Sequence, residues 1–173
     1  MSAQPPYIPE RWTFEDDKVA AIFDRHVREQ LPWYDMATTA VAQIARHYIG
    51  AGGLVYDIGA STGNVGNAIR PTLEERGAQL VAIEGAHEMA DRYVGPGRLE
   101  IARAETFDYE PFDLAVCFLV LIFMRPDEAR DLLHRLRSRT RSGGAVIVVE
   151  RMLPPDPYMS IVSSRLPPAA KLA

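Results

Sequence analysis

Cysteine, lysine and long apolar runs are what this 173-residue chain has least of. The single cysteine, Cys117, excludes an intrachain disulfide and any zinc site built on cysteine pairs. Lys18 and Lys171 are the only lysines among 19 basic side chains, and neither follows a glycine. A Walker A loop is therefore absent. No tyrosine stands four residues before a lysine either, so the Tyr-Lys pair of short-chain dehydrogenases is missing. The longest nearly unbroken apolar run, Leu114 to Met124, is too short to cross a bilayer. The amino terminus shows no basic-then-apolar signal pattern. These absences predict a cytoplasmic protein with no membrane segment. A formal net charge of -4 gives no global attraction to nucleic acid.

The chain does have enough apolar content, 47%, for one domain with a real core. Residues 1–50 read as a Pro-rich arm carrying Tyr7, Ile8 and Trp12, then two helices forming a lid. Thr13 with Asp16 resembles a capping box for the first helix, whose stripe is Val19, Ile22, Phe23 and Val27. Leu31-Pro32 ends it. The second helix is expected after Asp35 as N-cap and should run to Gly50.

From residue 51 to 151 short apolar runs alternate with helical segments. Strands are expected at Leu54–Ile58, Leu80–Glu84, Leu99–Ala102, Phe112–Phe118 and Ala145–Glu150. Pro71 should interrupt the helix after the first strand, and a short helix should cover Ala86–Tyr93. Pro126 should open the last helix, and Gly143-Gly144 should turn into the last strand. Runs apolar on both faces imply an α/β fold: about five parallel strands with helices on both sides. Residues 152–173 form a Pro-rich tail.

The chemistry gathers at Asp57-Ile-Gly59-Ala-Ser61-Thr-Gly63, between the first strand and its helix. Glycines there permit a tight turn and let backbone N–H groups approach a ligand. Glu84 closes the second strand, 21 residues after Gly63, where a carboxylate can accept both hydroxyls of a ribose. Dinucleotides and S-adenosylmethionine both suit that geometry. Asp57 would repel a pyrophosphate but suits the ammonium of a methionine moiety.

With the later stretch Arg141-Ser-Gly143-Gly144-Ala-Val-Ile-Val-Val-Glu150, these residues resemble the class I S-adenosylmethionine-dependent methyltransferases over about residues 35 to 151. Trp12-Thr-Phe14 to Val27, Leu31-Pro-Trp-Tyr34 and Val55–Gly63 are similar, more narrowly, to the carboxy-S-adenosylmethionine synthases and their methyltransferase relatives. The resemblance implies a Rossmann-like sheet and S-adenosylmethionine as cofactor. It places Gly59, Ala60, Ser61 and Gly63 under the methionine and ribose, and Asp57 near the ammonium. Glu84 and Gly85 would lie at the ribose, Met89 beside the adenine, and Ala104, Glu105 and Thr106 at the adenine edge. Cys117 and Phe118 would face the sulfonium, and Tyr34 would close over the methionine.

The implied activity is methyl transfer to an unidentified acceptor, a small molecule or RNA. The narrower resemblance implies carboxyl transfer from prephenate to S-adenosylmethionine, for modification of the tRNA wobble uridine. A third reading is a non-catalytic S-adenosylmethionine-binding or assembly protein. Where relatives carry an acid near the adenine amino group, this chain has Arg103 and Ala104, so Glu105 or the backbone must serve. The end of the fourth strand is apolar, and no catalytic residue is assigned. His26, His47, His87 and His134 lack metal-ligand spacing.

Between Arg125 and Arg141 the arginines outnumber the acids, and Arg135, Arg137, Arg139 and Arg141 cluster near a helix end. That pattern reads as a solvated helix end before it reads as an RNA edge. The usual C-terminal strand pair of the fold is not expected in these residues, and Arg165 is the only arginine after Arg151 that could clamp an extra carboxylate. A bare fifth strand would need cover, by the tail or by a second subunit in a homo-oligomer.

Overall fold

The computed structural model describes residues 13–152 and 156–158. Helices α1 (Asp17–Gln30) and α2 (Tyr34–Ala45) precede the sheet. Strand β1 (Leu54–Ile58) leads into α3 (Asn64–Arg76), β2 (Gln79–Glu84), the short α4 (His87–Ala90), β3 (Arg98–Ile101) and β4 (Phe112–Phe118). A 3-10 turn over Leu121–Phe123 precedes α5 (Pro126–Arg139) and β5 (Thr140–Val149). The five strands are parallel, in the order β3-β2-β1-β4-β5. Among the described residues no strand follows β5. Tyr7, Ile8, Trp12 and Arg165 lie outside the described residues.

Side-chain alternation sends β4 into two cores. Leu114, Val116 and Phe118 pack with Val55, Val65, Ile69 and Leu73 against α2 and α3. Ala115 and Cys117 pack with Tyr56, Ile58, Leu132 and Leu136 under α5. β1, β2 and β4 are almost wholly buried, as a parallel sheet covered on both faces requires.

Several local expectations are corrected. Asp16, not Thr13, caps α1, its carboxylate accepting from Lys18 N at 2.8 Å. The Thr13 hydroxyl accepts only from Glu15 N. α2 begins at Tyr34, with Asp35 already inside the first turn, and ends at Ala45 rather than Gly50. Asp35 instead pairs with Arg28 of α1 at 3.0 Å. Pro71 does not break α3. It lies on the exposed face, where the carbonyl its missing N–H leaves free can meet water. α4 is shorter than Ala86–Tyr93. Pro126 does open α5.

Gly143 and Gly144 do not turn ahead of β5; they lie within it. Register jumps from Phe112↔Thr140 to Leu114↔Ala145, so extra residues bulge out of β5 there. Gly143 takes φ +81°, and a Cβ on Gly144 would approach the Asp113 carbonyl oxygen to 2.6 Å. Glycine is required at both places for steric reasons.

Candidate functional site

At the carboxyl ends of β1, β2 and β4 the chain encloses a cavity of about 750 Å³. Its floor is the loop after β1. Gly59 N and Ala60 N both donate to the Ile83 carbonyl, at 2.9 and 3.0 Å, which lashes the loop to β2. Gly59 has φ +72° and Ser61, a non-glycine, φ +54°. The left-handed turn at Ser61 costs about 1–3 kcal/mol, a strain of the sort that gathers at ligand sites. The Ser61 hydroxyl is buried with no hydrogen-bond partner among the described residues.

Glu84 ends β2 and is 9% exposed. Ser61 N donates to its Oε2 at 2.8 Å and Ala86 N to its Oε1 at 2.9 Å. Two backbone amides thus fix the carboxylate, and each oxygen keeps a lone pair for a further donor. Asp57, on β1, is 1% exposed and accepts from Gly66 N at 3.2 Å. Burial, with the charge of Glu84 added, pushes its carboxyl from 3.8 up to about 7 against the lowering effect of that amide.

The roof comes from α1 and α2. Tyr34 is buried, its ring edge-on to Phe118 at 5.2 Å and under the Arg28 guanidinium at 5.3 Å. Arg28 also bonds Asp35 and, at 3.1 Å, the Asn64 side chain. Asp24 accepts from Thr62 Oγ1 and Asn64 Nδ2, so a polar lattice ties α1 to the floor. Phe14 meets Phe23 and Phe123 edge-on, at 6.0 and 4.9 Å, closing an aromatic rim over the mouth.

The far wall runs from Leu119 to Met124 and is apolar. Leu119 has φ +55° and donates to the Val149 carbonyl, while Leu121 N donates to Glu150 Oε1 at 2.6 Å. On the remaining side Glu105 pairs with Arg103 at 2.7 Å. Burial alone would raise the Glu105 carboxyl, but the hydrogen bond and charge of Arg103 outweigh it and hold it below its ordinary value.

Of the residues expected at a site, Tyr34, Asp57, Gly59, Ala60, Ser61, Glu84, Gly85, Met89, Ala104, Glu105 and Phe118 line this cavity. Gly63, Thr106 and Cys117 do not. Gly63 is the N-cap of α3. Thr106 points its hydroxyl at the Arg103 carbonyl, and its side chain is exposed. Cys117 cannot share a sheet face with Phe118, and its thiol, pushed up to about 12 chiefly by burial, is fully enclosed under α5.

Phe23, His26, Val27 and Gln30 also line the cavity. Phe23 and Val27 belong to the apolar stripe expected on the lid helix, whereas no site role was expected of His26 or Gln30; their spacing on the same helical face is the signal that joins them. Within α5, Arg139 pairs with Asp108 and Arg135 bonds the Phe107 carbonyl, while Arg125 at its N-cap pairs with Glu128. Just past α5, Arg141 pairs with Asp113.

No protein-family model matches the chain. A carboxy-S-adenosyl-L-methionine synthase of Shewanella halifaxensis is 29% identical over 146 residues, covering 79% of this chain and 60% of that protein. The chain thus spans about three fifths of the length of the curated relatives it matches. Phosphoethanolamine N-methyltransferase 1 of Haemonchus contortus, solved with phosphoethanolamine and S-adenosylhomocysteine, superposes with a TM-score of 0.63 at 15% identity. That match covers 80% of this chain and 31% of the other. An S-adenosylmethionine-bound amino pentose methyltransferase of Micromonospora echinaspora gives 0.59 at 20% identity, over 88% of this chain and 61% of the other. The fold is that of the class I S-adenosylmethionine-dependent methyltransferases. Among the described residues no helix is long and apolar enough to cross a membrane.

Proposed function

We propose that the cavity binds S-adenosylmethionine and that the protein transfers its methyl group to an acceptor. The observation that carries this reading is Glu84: a carboxylate at the end of β2, anchored by two amides, facing the cavity above the loop after β1. The donor set fits the nucleoside. Glu84 would accept the ribose hydroxyls, Ser61 offers a buried hydroxyl with no partner among the described residues, and Asp57 offers a carboxyl to an ammonium. Met89 and Ala104 would flank the adenine.

S-adenosylmethionine supplies an electrophilic methyl group on a sulfonium. The chain need then only hold the two reactants in line and keep water out. Phe118 and the wall from Leu119 to Met124 exclude water, and Tyr34 closes the roof. No side chain is assigned as a proton acceptor. The acceptor is a small molecule or RNA, and helices α1 and α2 serve as a lid. We place the protein in the cytoplasm, with β5 as the edge along which copies would pair. A second reading, carboxyl transfer to S-adenosylmethionine, is favoured by the names of the matched relatives.

Titration calorimetry with S-adenosylmethionine and S-adenosylhomocysteine tests the cofactor reading. Binding of both below millimolar levels is expected; failure of both removes it. Turnover with acceptor panels that include RNA and prephenate then separates methyl transfer, carboxyl transfer and a non-catalytic binder.

A further inference from the structure

Asp57 and Glu84 form a carboxyl pair, and among the described residues no basic side chain bonds Asp57. The parallel register sets Asp57 beside Ala82, so Glu84, two residues on, emerges on the same face of the sheet. Both line the cavity. Glu84 is satisfied by two amides, whereas Asp57 takes one long hydrogen bond from Gly66.

Glu84, Tyr34, Tyr93 and Cys117 surround Asp57. Tyr34 of α2, Tyr93 beyond α4 and Cys117 of β4 are each raised by burial, with the Asp57 charge a lesser cause. Arg28, over the Tyr34 ring, is committed to Asp24 and Asp35. Among the described residues no lysine or arginine pairs with Asp57. A buried carboxylate without a partner cation is costly, and a proton is the alternative.

We propose that Asp57 carries a proton in the ligand-free protein and gives it up to solvent when a ligand's ammonium enters. Asp57 thereby selects nucleosides that bear an amino-acid moiety over those that do not. The inference rests on the cofactor reading above. The balance is simple: the carboxyl O–H bond breaks, the proton passes to buffer, and the carboxylate pairs with the arriving ammonium. The ammonium makes the charged form affordable by supplying the missing counter-charge.

The test is calorimetry of the intact chain with S-adenosylhomocysteine in buffers of different ionisation enthalpy. With the Asp57 carboxyl at about 7, linkage predicts proton release on binding below that pH, fading as the pH rises above it. 5′-Deoxy-5′-methylthioadenosine, which keeps the nucleoside and lacks the ammonium, should bind more weakly and release none. Asp57→Asn should abolish the release seen with S-adenosylhomocysteine. If that variant does not fold, the comparison of the two nucleosides on the unaltered chain still decides. Binding of S-adenosylhomocysteine with no buffer-dependent heat, or equal release with methylthioadenosine, overturns the proposal while leaving the cofactor reading intact. If neither nucleoside nor S-adenosylmethionine binds, the proposal falls with that reading.

Discussion

Gly59 lies directly beneath Val120: a Cβ on Gly59 would approach Val120 Cγ2 to 2.6 Å. The cavity floor and its apolar wall are therefore in contact through a glycine that also holds φ +72°. Gly59→Ala must strain the turn and push the wall outward. A loss of about 1–3 kcal/mol is expected from the left-handed backbone alone. Urea unfolding measures it, and unchanged stability would show that the loop can relax.

Glu84→Ala should remove ligand binding without unfolding the chain. Hydrogen bonds to an ionised group contribute about 1.5–3 kcal/mol each, so losing two to a ribose weakens binding by more than about 100-fold. The same change strips Ser61 N and Ala86 N of their acceptor. Glu84→Gln, which keeps acceptor oxygen, should lose less. Calorimetry with S-adenosylhomocysteine, beside circular dichroism, checks both; full affinity in the alanine variant would displace the ribose site.

Stability without ligand should fall as pH rises from about 4 to 7. The Asp57 carboxyl is raised on folding from 3.8 to about 7, mainly by burial, so over that interval the folded state binds more protons than the unfolded one. The contribution is fully present below the unfolded value and lost as pH climbs through the folded one. Glu150, also raised by burial, acts in the same direction. Denaturation midpoints across this range should slope less in Asp57→Asn; an equal slope would assign the effect elsewhere.

Cys117→Ala should leave affinity for S-adenosylhomocysteine within twofold of the parent while costing stability by about 1 kcal/mol, as small core truncations do. The native thiol should resist aromatic disulfide reagents until the chain unfolds, because it is fully buried and raised to about 12. A large drop in affinity would return Cys117 to the cofactor's surroundings.

β1 and β4 were legible to the residue because a strand buried on both faces reads as a short, mostly apolar run, here broken only by Asp57 and Asp113. Pro71 misled, since sequence does not say which face of α3 meets solvent. The bulge at Gly143 and Gly144 was hidden because it arises from how β5 passes Asp113, a pairing absent from either segment alone. Cys117 and Phe118 were assigned one role although strand alternation forbids it; parity alone could have separated them. The ends of strands and the glycine loop announce themselves in sequence, whereas the roof depends on tertiary approach. Phe23, His26, Val27 and Gln30 become lining only once Arg28, Asp24 and Asn64 seat α1 over the loop.

The bond from Leu121 N to Glu150 Oε1 gives the last strand an unexpected office. β5 itself sends no side chain into the cavity, yet the residue that follows it sets the height of the wall facing α1. The rim of the sheet thus acts as a gauge for the mouth. A shift of β5 would carry Glu150 with it, and with Glu150 the turn that forms this wall.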